Sequence, residues 1–320
     1  MRAFASDKFG EIAQLTLREV EKPTAGERQV VVNVRAAAVN PADLKVLGHR
    51  DGGSFLHASK FPLMLGYDYS GVVTEVGVDS SMYKVGDEIY GFLPYARSTA
   101  NGTFAEFVAV GEATAGPKPR KISHEQAAAA ATSAATALQG LRKAKLAAGH
   151  TVLINGASGG VGSYVIQIAK TLGATVIATA SGSKVDYVKG LGADRVYDYK
   201  TTPLRDIAER FEVVFDVAST SSFGTCSPLL KRGGSYVALL PGPGLFLGMM
   251  RALFSSKRCT FIVVKPIAAD FAQLATWFDE GKLKPILDAS YPLAELPAAL
   301  ERQRIGDIRG KLAITIDAPA

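Results

Sequence analysis

Residues 151–170, TVLINGASGGVGSYVIQIAK, read as a strand, a glycine turn and a helix in immediate succession, and that reading decides the fold. Val152, Leu153 and Ile154 form a short apolar run of the kind buried in a parallel sheet, and Asn155 and Gly156 end it with turn chemistry. After Ser158, the residues Gly159, Gly160 and Gly162 remove side chains where a backbone must bend tightly and approach a pyrophosphate. Val161, Val165, Ile168 and Ala169 then recur at helical spacing, so the first amides of the helix and the positive end of its dipole face the phosphates. Glycines alone also mark ordinary turns, and the continuation separates the two readings. A strand over Ala174–Ala180, a helix over Lys184–Leu191 and a strand around Arg195–Tyr199 complete the βαβαβ pattern of a dinucleotide-binding unit.

With 320 residues the chain is long enough for two domains, and its 48% hydrophobic and 21% charged content is that of a soluble globular protein. The net charge of +6 raises the question of nucleic acid. The basic residues fall into small groups, at Lys118–Lys121, Arg142–Lys145, Arg251–Arg258 and Arg302–Lys311, with no continuous stripe and no interleaved stacking aromatics, which argues against it. Two cysteines, Cys226 and Cys259, form no disulfide framework and suit a reducing cytoplasm. Arg2, Asp7, Lys8 and Glu11 interrupt the first residues, so no signal peptide is expected. The uncharged stretches Leu146–Ala169 and Gly233–Met250 carry five glycines each, which excludes them as transmembrane segments.

Upstream of the cradle the chain reads as strands and turns: Glu11–Leu17, Gln29–Val39, Ser70–Val76, Ile89–Phe92 and Gly102–Val110. The alanine-rich run Ala127–Ala137 predicts a helix, with Ser123 as its N-cap and Glu125 and Gln126 in its first turn. From there strands alternate with helix-length segments, at Val213–Val217, Ser235–Leu240 and Thr260–Val264, and a helix follows that carries Phe271, Leu274, Ala275, Trp277 and Phe278. Beyond Pro285 strands return, ending in Lys311–Ile316.

The order of pieces resembles the zinc-free quinone oxidoreductases and enone reductases of the medium-chain dehydrogenase/reductase superfamily. The resemblance is carried by VNPADLK from Val39, FPLMLGYDYSGVVTEVG from Phe61, VGDEIYG from Val85, GTFAEFV from Gly102, ATSAATAL, INGASGGVG, LGADRVYDY from Leu191 and RGKLAITI from Arg309. It implies an α/β protein with a GroES-like, β-rich catalytic domain built from residues 1–122 and 286–320, and a Rossmann doubly wound parallel-sheet domain over 123–285. It also implies a homodimer. The superfamily's zinc enzymes place a Cys near Asn40 and a His with a Glu near Tyr67 and Asp68, and none of those ligands is here. Two separated cysteines cannot build a structural zinc lobe, and His49, His57, His124 and His150 fall in no ligand spacing, so no metal is expected and each histidine is expected at the surface or in a turn.

Cofactor choice is set about twenty residues past the glycine turn, where an acid selects NAD. The segment there, Thr179–Lys184, has no acid; Ser181 and Lys184 suit a 2′-phosphate, and Tyr199 matches the family's phosphate-contacting tyrosine, so NADPH is expected. Helix capping by Ser181 and solvation of Lys184 are the competing reading. Without a metal, an electron-poor quinone or α,β-unsaturated carbonyl is the fitting hydride acceptor, since placement supplies much of the catalysis. Asn40, Lys45 and Tyr67 are the candidate catalytic residues, as donors to the nicotinamide, to substrate oxygen or to a proton path, against turn-capping, solvated and core roles respectively. Thr132 and Thr136 share a helix face and resemble the family's nicotinamide-flanking position, though small packing residues would share it too. Alternatives are a secondary-alcohol dehydrogenase and a weakly catalytic NADPH-binding sensor. Pro241–Ser256, rich in Leu, Phe and Met, reads as a pocket lid, a dimer contact or a peripheral membrane surface.

Overall fold

The computed structural model describes residues 1–49, 53–239, 243–306 and 308–317. Packing divides the chain into one unit of residues 1–135 and 265–320 and a second of residues 136–264, the first division falling inside the helix His124–Ala144.

In the second unit six parallel strands form one sheet, in the order Arg195–Asp198, Thr175–Ala180, Thr151–Asn155, Phe211–Asp216, Leu230–Ala238, Arg258–Phe261. The strand order reverses beside Thr151–Asn155, which makes the ends of that strand and of Phe211–Asp216 the topological switch point. Val152, Leu153 and Ile154 are fully buried there, as a doubly covered strand requires. Helix packing onto the sheet is close: a Cβ at Gly140 would stand 2.4 Å from the ring of Phe215. The predicted helix over 184–191 is a 3₁₀ turn, Gly182–Lys184, followed by the short helix Val185–Gly190. Cys226 is buried and Cys259 half-buried; both thiols are free, and burial pushes each up to about 11.

The first unit is built on a seven-stranded sheet with a three-stranded sheet, Thr16–Glu19, Arg2–Ser6 and Leu63–Met64, beside it in sequence. Its central strand, Gln29–Ala38, pairs along one edge with Asp68–Val76. Along the other edge it pairs first with Phe107–Gly111 and then, through Ala36–Ala38, with Leu312–Thr315. The two ends of the chain therefore meet in one sheet. Glu11–Leu17, expected as a strand, is a 3₁₀ turn at Ile12–Gln14 leading into Thr16–Glu19, and the strand expected from Gly102 is confined to Phe107–Gly111.

The alanine helix begins as the sequence predicts. Ser123 accepts from the Gln126 amide at 3.3 Å while the Gln126 side chain accepts from the Ser123 amide at 3.0 Å, a reciprocal cap. Ala128 and Ala129 pack on Ala36 and Ala38, and these small side chains bring the helix close to the strand end that carries Asn40. Helix Ala268–Asp279, assigned from sequence to the nucleotide domain, packs with the first unit instead: Phe271 meets the rings of Tyr90 and Phe92 at 5.3 and 5.7 Å, and its carbonyl accepts from the Tyr90 hydroxyl. Trp277 on the same helix is a core residue.

Candidate functional site

The glycine turn of the second unit has two kinds of glycine. Gly156 has φ +88°, and a Cβ on it would stand 2.8 Å from Ala218; a Cβ on Gly162 would stand 2.3 Å from the Gly156 carbonyl oxygen. Those two are closed by the fold. Gly159 is different, because a Cβ there meets nothing within 4 Å among the described residues. Its neighbours Gly160, Val161 and Gly162 open the helix Gly160–Thr171, and the amides of a helix's first turn have no intrahelical acceptor. A bare turn at the positive end of a helix fits a pyrophosphate. Ser158 lies in the same turn. Beneath it, Asn155 ties three strand ends together: its amide donates to Asp216 at 2.8 Å and to Thr220 at 3.1 Å, and its oxygen accepts from Thr179 at 2.9 Å. Asp216 also accepts from Tyr236 at 2.9 Å, so the switch point is held by a buried, fully bonded network.

At the end of Thr175–Ala180 stand Ser181 and Lys184, both half-buried, with the exposed Tyr199 one strand away. The structure adds an acid that the linear segment lacks. Asp198, at the end of the adjacent strand, points toward the turn, its Oδ2 only 2.7 Å from where a Cβ on Gly182 would be. Its other oxygen accepts from the Lys200 amide at 3.0 Å.

In the first unit the polar residues expected from sequence converge on Asp68, which is fully buried. Asn40 donates to Asp68 Oδ2 at 2.9 Å and to the Ala38 carbonyl at 3.3 Å, so both of its amide hydrogens are engaged. Thr132 gives Asp68 Oδ1 its backbone amide at 3.0 Å and its hydroxyl as well. The cation of the group is Lys311, only 5% exposed, whose ammonium donates to Asn40 Oδ1 at 2.6 Å, to the Val39 carbonyl at 2.7 Å and to Asp68 Oδ2 at 3.4 Å. Sequence reasoning missed it. A buried carboxylate needs charge compensation and donors, and here it has both. Asp43 braces the same turn by accepting from the Asn40 and Gly66 amides at 2.7 and 3.1 Å, and burial pushes its carboxyl up to about 7.

Tyr67 is fully buried, and its hydroxyl donates to the Leu56 carbonyl at 3.0 Å; burial raises its pKa far above the phenol range. Its ring lies 4.2 Å from that of Tyr95, a half-buried residue absent from the sequence-based candidates, whose hydroxyl is 3.4 Å from Thr132 Oγ1. Asn40, Thr132, Tyr67 and Tyr95 thus form one continuous group, whereas Lys45, half-buried in the helix Pro41–Leu47, takes no part in the bonds to Asp68. Thr136, one turn along from Thr132, is buried. Two histidines depart from the surface or turn placement expected of them. His57 is buried with its ring nitrogens 3.0 and 3.2 Å from the carbonyls of Ala58 and Asn101, and His124 opens a helix with Nδ1 2.8 Å from Ser70 Oγ. Burial lowers the His124 pKa, Glu88 opposing.

A doubly wound unit with a bare glycine turn, joined in one chain to a β-rich unit with a buried polar cluster, defines an oxidoreductase of the medium-chain dehydrogenase/reductase type. Residues 26–120 match the alcohol dehydrogenase GroES-like domain family and residues 191–314 the zinc-binding dehydrogenase family. The chain is 33% identical to a 2-methylene-furan-3-one reductase of Solanum lycopersicum and 32% identical to a chloroplastic NADPH-dependent alkenal/one oxidoreductase of Arabidopsis thaliana, in each case over 98% of this chain and 79% of the relative. The structure of the quinone oxidoreductase from Coxiella burnetii superposes with a TM-score of 0.89 over 99% of both chains, at 30% identity. The chain belongs to the quinone oxidoreductase branch of the medium-chain dehydrogenase/reductase superfamily, and a nicotinamide dinucleotide is its cofactor.

Proposed function

We propose that this chain is an NADPH-dependent, zinc-independent reductase that delivers hydride to a quinone or an α,β-unsaturated carbonyl. The observation that carries the metal-free part is the state of Asp68: its charge is matched by Lys311 and its oxygens are taken by Asn40 and Thr132. A carboxylate already compensated by a buried ammonium is a poor anionic support for a dication. Relatives named for alkenal/one and quinone reduction support the acceptor class.

When bound, the nicotinamide supplies the hydride, and the residues of the glycine turn hold its pyrophosphate. Ser181, Lys184 and Tyr199 are proposed to hold a 2′-phosphate, with Asp198 as the acid that opposes it. Asn40, with both amide hydrogens spent, acts by fixing the Val39–Pro41 turn and the Asp68 carboxylate. Tyr95 presents a hydroxyl at the margin of that cluster, where it suits an acceptor oxygen gaining charge, while Thr132, its own hydroxyl hydrogen given to Asp68, holds the carboxylate in place; Tyr67 supports Tyr95 by ring contact. Lys45 is proposed as a solvent-side proton route.

The test is oxidation of NADPH, with NADH in parallel, against quinones, conjugated enones and their saturated analogues in the presence of a chelator. Chelator-resistant turnover of conjugated acceptors with NADPH is the expected result. Turnover of saturated ketones would instead make the chain a secondary-alcohol dehydrogenase, and tight NADPH binding with no acceptor reduced would make it a sensor.

A further inference from the structure

The helix Pro243–Leu253 leaves Phe246, Leu247, Met250 and Leu253 exposed, Pro241 and Gly242 before it lie outside the described residues, and nothing in the structure shows what covers that face. In the first unit an exposed aromatic side chain stands in a more telling setting. Phe55, on the short helix Gly53–Leu56, is 64% exposed, and the guanidinium of Arg97 lies over its ring, 4.5 Å from the centroid.

The two segments that meet in this stack are bonded to each other and to the site. The Ala58 amide donates to the Thr99 carbonyl at 2.8 Å, and His57 Nε2 lies 3.2 Å from the Asn101 carbonyl. The Tyr67 hydroxyl donates to the carbonyl of Leu56, the residue after Phe55, and the Tyr67 ring lies against Tyr95, two residues before Arg97. The Cα atoms of Tyr95 and Arg97 are therefore at most about 7 Å apart. Rings thus run from the fully buried Tyr67 through the half-buried Tyr95 to the exposed Phe55, and the series ends in a cation. The charge of these segments is mainly positive. Residues 44–66 and 93–105 carry Lys45, Arg50, Lys60 and Arg97 against a single acid, Asp51, which with Arg50 lies outside the described residues. Asp43 and Asp68, the next acids in sequence, are buried and bonded within the polar cluster.

We infer that Phe55 and Arg97 select the acceptor, with its conjugated carbonyl at the Tyr95 hydroxyl, its apolar body along the rings, and a carboxylate borne on that body in the fork of Arg97. The inference rests on the acceptor placement proposed above and narrows the substrate to conjugated carbonyl compounds that carry a carboxylate. A guanidinium has five N–H donors in a fixed fork, so one stacked by its face can hold a carboxylate in addition to other bonds. The ring beneath it keeps the fork in place, which lowers the entropy lost when the carboxylate arrives.

The experiment compares benzoylacrylic acid with its methyl ester as acceptors, at saturating NADPH, in the parent chain and in Arg97→Gln, Phe55→Leu and Lys60→Gln. The quantity read is kcat/KM for the acid over kcat/KM for the ester, since comparing that ratio between variants cancels the intrinsic reactivities of the two compounds. Arg97→Gln is expected to lower the ratio about tenfold, through KM for the acid, as the loss of one charge-assisted pair. Phe55→Leu is expected to lower it about threefold. Lys60→Gln, which removes one charge from the same segment, is expected to change it less than about twofold. Added salt should lower the ratio in the parent more than in Arg97→Gln. Phe55 and Arg97 are both exposed, so melting temperatures are expected to stay at the parent value. A ratio unmoved by Arg97→Gln, or moved as far by Lys60→Gln, overturns the inference and leaves the reductase reading standing. Turnover of neither compound also overturns it, and the reductase reading falls with it only if quinones and other enones are not reduced either.

Discussion

Replacing Gly159 by alanine separates the ligand's demands from those of the fold. Gly159 has φ −83° and ψ 176°, which any residue adopts, and its Cβ would meet nothing within 4 Å among the described residues. Stability should therefore change by less than about 1 kcal/mol, with the stiffer unfolded chain favouring alanine. Binding should not be spared. A methyl at the mouth of the turn keeps a pyrophosphate from closing on the Gly160–Gly162 amides, and weakening one or two charge-assisted hydrogen bonds costs about 1.4–3 kcal/mol, or a ten- to hundredfold rise in Kd. Gly162→Ala is the opposite control. Its Cβ would lie 2.3 Å from the Gly156 carbonyl and 2.8 Å from Ala157 Cα, both backbone atoms, so the turn itself must move, at about 1–3 kcal/mol. The assay is thermal unfolding without ligand and titration of NADPH fluorescence. A folded Gly159→Ala protein with the parent Kd for NADPH would refute the placement of the pyrophosphate on this turn.

Lys311→Met leaves the buried Asp68 charge without its cation and is expected to cost about 3–5 kcal/mol in urea unfolding; adding Asp68→Asn should recover part of it, because the freed Asn40 amide can turn to accept from the new one. Additive losses in that pair would show that Lys311 and Asp68 do not interact. Asp43 ionises in the folded chain at about 7 against an ordinary 3.8, so its contribution is fully present below about pH 3.8 and is lost progressively as pH rises from there to about 7, by on the order of 4 kcal/mol. Asp43→Asn, neutral throughout, should flatten that part of the stability profile relative to the parent, and parallel profiles would contradict the assignment. Lys184→Ala should raise KM for NADPH about tenfold and leave NADH unchanged, while Asp198→Asn shifts preference further toward NADPH; equal effects on the two cofactors would remove the 2′-phosphate reading.

The nucleotide-binding unit was legible because its signals are local. An apolar run, a glycine turn and a helical repeat within residues 151–170 are each set by neighbours in sequence, and the structure reproduces them within a residue or two. The polar cluster was legible only in its near-neighbour parts. Asn40 and Asp43 are three residues apart and appear as a turn, whereas Lys311 meets Asn40 across 271 residues and Asp68 across 243. Nothing in RGKLAITI distinguishes that lysine from a solvated one until the strand pairing is known. Asp198 escaped for a related reason, since it reaches Gly182 from the adjacent strand of a parallel sheet. Tyr95 is a single aromatic in an irregular loop, where periodicity gives no guide to burial.

The pairing of Leu312–Thr315 with Ala36–Ala38 has a consequence for biosynthesis. Everything the second unit needs has been made once residue 264 emerges from the ribosome, but the first unit, begun earlier, still lacks a strand of its sheet and the cation for Asp68. At ordinary translation rates of about 5–20 residues per second, its N-terminal portion waits on the order of 10–40 s between the synthesis of residue 135 and that of the closing strand. Throughout that interval the second half of Gln29–Ala38 carries an unpaired edge beside an uncompensated buried acid. Until its final strand is delivered, the nascent chain therefore presents an open strand edge of the kind that pairs with other chains.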